Sequence, residues 1–420
     1  MGDNPILAYL RSRFPLLARL IEERPGFLWM ATAIGMLALF GGVYLVSLTQ
    51  TKGYTFLDGA YIGGDFIVFW SAAKAAITGA ATEIYHYDTL QEAFRTHLGA
   101  TEEVRVSWQY PPTVYFLLAP FGAVPYLPAF ALWATLNIGI FYLILKNLRP
   151  HPRALIIAFG SSAVIQGLIT GQTGFVTAGL LCAAAALAGP RPILAGIAAG
   201  ILTIKPQFGL LIPIAFLAGG HWRAFIAAGA TTLILGSASV GVFGVESWQA
   251  FFEAVSTHSE RLQTSFFPYH KVISPYGGMK MLAAPNALAF AVHGLFMIAF
   301  AAAIFVIWRK KPDADIRIMT LCALSPLVTP YAFYYELPVI LIALFVLAKR
   351  GSEKGWLRYE RALLPVLWIA PLAVTSFTSI PGVPVASVAT LTAAGLVLRR
   401  CAHELAFARP AFLTRAGVSS

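Results

Sequence analysis

About twelve apolar stretches follow one another along this chain, separated by short polar breaks, and that alternation leaves few folds open. Backbone polar groups find no water inside a bilayer, so stretches of this kind cross it as helices that satisfy their own hydrogen bonds. Hydrophobic residues make up 58% of the 420, charged ones 12%, and the mean hydropathy is +0.71, more apolar surface than a soluble domain of this length can hide. The chain therefore reads as an all-α polytopic membrane protein. Several stretches, among them 193–204 and 208–218, are shorter than the ~20 residues of a full crossing. They pair around the breaks GQTG (171–174) and KPQ (205–207), which predicts hairpins folded around loops at membrane depth. Five prolines within 111–128 predict a broken entry to the second span.

Charge predicts orientation. With both termini cytoplasmic, the inner loops collect 22 of the 30 Lys and Arg residues, as the positive-inside rule requires. The net charge of +11 is then topological, and its spread over thin loops argues against a nucleic-acid partner. The expected organisation is an amphipathic helix on the cytoplasmic membrane surface over 1–26, a membrane-embedded domain over 27–400 and a cytoplasmic tail over 401–420. Ile6, Leu7, Leu10, Phe14, Leu17 and Leu20 stand at helical spacing in the first of these. The first apolar run begins after Arg24 and lacks a small-residue cleavage pattern, so it reads as a retained anchor. Cys182, Cys322 and Cys401 lie in or near apolar segments without metal-ligand spacing and read as small packing residues.

Two outer loops, 49–112 and 245–285, hold most of the remaining polar material. In the first, the short runs 66–70 and 72–77 predict amphipathic helices lying against the membrane. The second is aromatic and basic, which suits membrane lipids and an amphiphile with an anionic head. Asp65 opens the first of these runs, among aromatics. A carboxylate where headgroups meet water is costly unless something uses it, which makes Asp65 the first candidate for chemistry. The competing explanation is a cap for the helix starting at Phe66.

Lys205 stands beside a helix-breaking Pro206, where a cation can neutralise a phosphate, although a lysine snorkelling to the interface needs no such role. Arg261, His270 and Lys271 are further candidates for the same phosphate. Gln172 and Gln207 can hydrogen-bond sugar hydroxyls, and Tyr110, Tyr331 and Tyr335 can stack on sugar faces or simply belong to the interfacial belt. Glu336, an acid at the start of a span, needs a partner, and Lys205 is one on offer. Glu83 and Asp88 read as solvated loop charges. No paired acidic motif adjoins Asp65, so neither a metal nor another cofactor is called for, and no nucleotide-binding or zinc-protease motif is visible.

The pieces GGDFIVFWSAAKAAITG from Gly63, IYHYD, SWQYPP, LLAPFGAVPYLPAFALW, TGQTGFV, LTIKPQFGLL and SPLVTPYAFYYEL occur in an order that resembles the bacterial integral-membrane glycosyltransferases of family 87, a branch of the GT-C architecture. The resemblance runs from about Asp65 to Glu336 and rests on the joint order of short motifs. It implies an enzyme that moves a sugar from a polyprenyl-phosphate donor to a lipid-linked or envelope glycan acceptor on the outer face of the inner membrane. It also implies a catalytic base at the aspartate of the first outer loop, here Asp65. Mannose is the commonest donor sugar among the best-known relatives. The late motif departs from the family's pattern, with Tyr331 where histidine can occur and Glu336 where aspartate is usual. On the residues alone, a lone carboxylate fits inverting transfer from a phosphate, since a phosphate leaves without protonation and the second acid of a glycosidase is not needed. A secondary transporter or flippase would share the many broken spans, but it usually shows internal repeats and polar groups near mid-membrane. A non-catalytic scaffold would tolerate substitution at Asp65.

Overall fold

A computed structural model describes residues 9, 12–15, 25–100, 102–104, 106–148, 152–261, 267–376 and 382–407. The expected surface helix over 1–26 falls almost wholly outside them; of the expected tail over 401–420 only residues 401–407 are described, and they continue the helix Val385–Phe407. Among the described residues the regular structure is helical, with isolated β-bridges only. Five helices are long and apolar enough to cross a membrane: α1 (Pro25–Leu48), α5 (Tyr126–Asn147), α11 (Trp222–Phe243), α14 (Asn286–Arg309) and α18 (Val385–Phe407). A sixth crossing results if α6 (Pro152–Phe159) and α7 (Ser162–Ile169), bent by 53° at their junction, count as one broken span. The remaining apolar stretches fold as shorter helices, so length and composition account for five or six of the expected twelve.

The breaks fall where the polar punctuation predicts. The turn after α7 carries Gly171 at φ +61° and leads into α8 (Gly174–Leu187). Beyond α9 (Pro192–Ile201), Lys205 leaves the helical region at φ −143°, ψ 72°, because Pro206 disfavours the α conformation in the residue before it. Pro206 then opens a 3-10 turn that leads to α10 (Ile212–Ala218). In the proline-rich tract, α4 (Tyr115–Gly122) stops short of Pro125 before α5 begins. Gly196 and Gly200, four apart on α9, let α11 approach so closely that a Cβ at either would collide with Ala224, Ala227 or Thr231, the small-residue packing typical of membrane helices.

Two cores result. The larger is centred on α16 (Leu337–Lys354), buried along most of its length against α15 (Ala314–Leu324), α8 and α18, with α17 (Glu360–Ser376) alongside. The second gathers α2 (Phe66–Ile77), α3 (Tyr87–Leu98), α4, α5 and α12 (Val245–Arg261). Here the structure departs from the sequence reading: residues 66–77 form one helix whose first eight residues are all buried, instead of amphipathic helices lying on the membrane surface. Aromatics from later in the chain cover it: Phe66 finds Phe121, Phe130 and Trp133 at centroid distances of 5.6–6.4 Å. Glu83 and Asp88 are exposed, as expected of solvated charges.

The two ends of α16 differ chemically. Its N-terminus starts beside Glu336, whereas Arg350 near its other end pairs with Asp313 at 2.9 Å and with Glu404. Lys349 pairs with Asp315 at 2.9 Å, and Arg400 with Glu360. With 18 residues at about 1.5 Å each, the helix spans about 27 Å, close to the ~30 Å of a hydrocarbon core.

Candidate functional site

At the Glu336 end, five separate segments converge. The first is the turn before α2. Gly63 and Gly64 take φ +85° and +53°, which brings the chain against the turn after α7. The Asp65 amide donates to the Thr170 carbonyl at 2.9 Å, and a Cβ on Gly171 would lie 2.5 Å from the Gly63 carbonyl oxygen. Trp133 fixes the same turn from α5, its indole N–H donating to the Gly171 carbonyl at 2.8 Å. Glycine is required here because both turns enter the left-handed region and leave no room for a side chain.

Asp65 occupies the N-cap position of α2, yet its carboxylate makes no capping hydrogen bond. It accepts instead from Gln172 Nε2 at 2.7 Å. Gln172 Oε1 in turn accepts from the Tyr110 hydroxyl at 3.2 Å, so the amide is oriented from both sides. Asp65 is half-buried, and burial raises its carboxyl above the ordinary carboxylate range, offset in part by the Gln172 hydrogen bond and by the charges of Lys271 and Lys205.

Lys205, 3% exposed, forms an ion pair with Glu336, 1% exposed, which is the partnership expected from the sequence. Its ammonium also lies 5.5 Å from the ring centroids of both Tyr110 and Tyr335 and 5.8 Å from that of Phe208. The aromatic faces supply part of the stabilisation that water would otherwise give. The other Glu336 oxygen, Oε2, and the hydroxyl of Thr173 are buried without a hydrogen-bond partner among the described residues. A single β-bridge between Val272 and Phe333 ties the second polar loop to the late motif, and the Ile273 amide donates to the Ala332 carbonyl at 2.9 Å. This brings Lys271, half-buried, to 6.0 Å from the Tyr334 ring and within electrostatic reach of Asp65. Among the described residues no carboxylate lies within ion-pair distance of Lys271.

Of the sequence candidates, Asp65, Tyr110, Gln172, Lys205, Lys271, Tyr335 and Glu336 are thus brought together. His270 shares a 3-10 turn with Lys271, and burial together with that neighbouring charge holds its imidazole below the ordinary value, so at neutral pH it carries little charge. Gln207 is half-buried on the turn after Lys205 and does not enter the hydrogen-bonded chain among the described residues. Tyr331 meets the Ser259 hydroxyl at 3.1 Å, anchoring α12. The Arg261 side chain lies outside the described residues. Sequence reasoning missed Trp133, which holds the Gly171 turn, and Tyr334, which flanks Lys271; the FYYE run was the available signal for the second.

The site and fold define a polytopic membrane protein with an ionic centre built around two carboxylates, Asp65 and Glu336, and two lysines, Lys205 and Lys271. The sequence profile of glycosyltransferase family 87 matches residues 108–330, just over half of the chain, and the chain belongs to that family. The match takes in Tyr110, Gln172, Lys205 and Lys271; Asp65 precedes it and Glu336 follows it. No curated protein and no solved structure matches the chain. Family membership makes it a membrane glycosyltransferase, acting on a sugar donor and an acceptor.

Proposed function

We propose that the protein transfers a hexose, with inversion, from a polyprenyl-phosphate donor to a hydroxyl of a lipid-linked or envelope glycan at the outer face of the bacterial inner membrane. Asp65 is the general base in this reading. The observation that carries it is the state of Asp65: its carboxylate leaves its own helix uncapped, is held by Gln172 and faces the field of two lysines. The acceptor oxygen attacks the anomeric carbon, the bond from that carbon to the phosphate oxygen breaks with its electron pair, and Asp65 takes the hydroxyl proton. Lys271 is the better-placed cation for the departing phosphate, since Lys205 already has Glu336 as its partner. Tyr110 and Tyr335 flank the Lys205 ammonium, and Gln172 serves chiefly to aim Asp65.

Orientation rests on the positive-inside count and on the Arg350 cluster, which lies at the opposite end of α16 from Asp65. The family match favours this reading over a transporter. The test is transfer by the protein purified in lipid, with a panel of polyprenyl-phosphate hexoses and a membrane lipid extract as acceptor. Covalent glycosylated product is expected from wild type and not from Asp65→Ala; donor counterflow across vesicles without product would overturn the proposal.

A further inference from the structure

A cavity of about 220 Å³ lies between the first polar loop and α12. The rings of Tyr85 and Trp108 line it together with His86, Gln109, Glu253 and Thr257. It is joined to the Asp65 site through side chains of that lining. The Trp108 and Tyr110 rings lie 5.0 Å apart, the Tyr85 hydroxyl donates to the Tyr110 carbonyl at 2.6 Å, and Tyr110 reaches Asp65 through Gln172. Its lining differs from that of the Asp65 site: among the described residues neither Lys nor Arg borders it, and it carries the Glu253 carboxylate and the His86 imidazole. What it offers is aromatic rings beside the Thr257 hydroxyl, the His86 imidazole, the Glu253 carboxylate and the Gln109 amide, which donates to the Ser107 hydroxyl, a combination that receives a hydroxylated ring with apolar C–H faces. Its volume is below the ~300–1,000 Å³ of drug-sized ligand sites, which restricts it to about one such ring.

We infer that this cavity is a saccharide subsite that holds one sugar unit of the acceptor. The inference rests on the proposed transferase reading in assigning the sugar to the acceptor, and the wall chemistry alone assigns the saccharide. Glu253 and Gln109 take the ring hydroxyls, and Ala254 on α12 borders the space in which the ring lies.

The test is saturation-transfer-difference NMR on the full chain in lipid nanodiscs. The probes are methyl α-D-mannopyranoside, methyl β-D-glucopyranoside and methyl N-acetyl-β-D-glucosaminide, with glycerol as the control. At least one glycoside should give a signal with wild type and with Asp65→Asn. That signal should be lost in Ala254→Trp, which fills the cavity, and fall at least several-fold in Gln109→Ala/Glu253→Ala, which leaves the cavity open. The paired variants keep the test decisive if the tryptophan does not fold. Absence of binding to wild type, a signal that survives both variants, or one lost only in Asp65→Asn would overturn the subsite. Failure of wild type to transfer from any donor, with the NMR pattern as expected, would remove the transferase reading and leave the saccharide site standing.

Discussion

Removing one member of the Lys205–Glu336 pair should destabilise the protein far more than removing both. The side chains are 4% and 1% exposed, so neither charge left alone can be hydrated without opening the bundle. Breaking a buried pair by deleting one partner costs about 3–5 kcal/mol, whereas apolar replacement of both is often neutral or stabilising. Here the native pair is also imperfect, because Glu336 Oε2 lacks a hydrogen bond among the described residues, so the double replacement has little to lose. Glu336→Leu and Lys205→Met should each cost about 3–5 kcal/mol, and the double variant should lie within about 1 kcal/mol of wild type, a coupling of several kcal/mol. Unfolding in mixed micelles titrated with sodium dodecyl sulfate, run on all four proteins, measures the cycle. Costs that add within about 0.5 kcal/mol would show that the two charges are not each other's partner. The double variant should be folded and slow in transfer, which separates a role in chemistry from a role in stability.

Gln172→Leu removes a hydrogen bond to a charged acceptor, worth about 1.5–3 kcal/mol, so transfer should fall by roughly 10- to 150-fold if that bond is used in the transition state. The same change raises the Asp65 pKa, and since a base acts ionised, the acid limb of the kcat/KM profile should move to higher pH; Lys271→Met should move it the same way, and an unmoved limb would contradict both assignments. Gly171→Ala places a Cβ against the Gly63 carbonyl at φ +61° and should abolish transfer together with heat stability, measured as residual folded protein after heating. Arg350→Met removes the charge shared by Asp313 and Glu404 at the far end of α16; because Glu404 keeps Lys354 at 2.8 Å and the Asp313 side chain is 53% exposed, stability should fall by only about 1.5–3 kcal/mol, with the transfer rate per folded molecule unchanged.

The sequence carries the helix breaks plainly, because Pro206, the glycines of the GQTG turn and the prolines of 111–128 act on the local backbone. It also carries the Lys205–Glu336 partnership across 131 residues, since a buried charge in a membrane protein demands an opposite one and few are available. What it does not carry is which helices enclose which. Residues 66–77 have the composition of a surface-seeking helix as much as of a buried one. Only the arrival of Phe121, Phe130 and Trp133, more than fifty positions later, decides for burial. Gln172 was legible as a polar residue in a tight turn, but its aim at Asp65 depends on two glycine turns meeting, which no periodicity reveals. The short helices around Lys205 escaped a count of crossings for a related reason: length alone does not distinguish a broken span from a re-entrant loop.

The central claim is that Asp65 withdraws the acceptor's proton. Single-turnover transfer from a polyprenyl-phosphate hexose, measured for wild type and Asp65→Asn with the bound donor saturating, isolates that step. A loss of about 10²- to 10⁴-fold in rate, with donor binding unchanged, is expected of a missing general base. An Asp65→Asn protein that transfers at the wild-type rate would contradict the account.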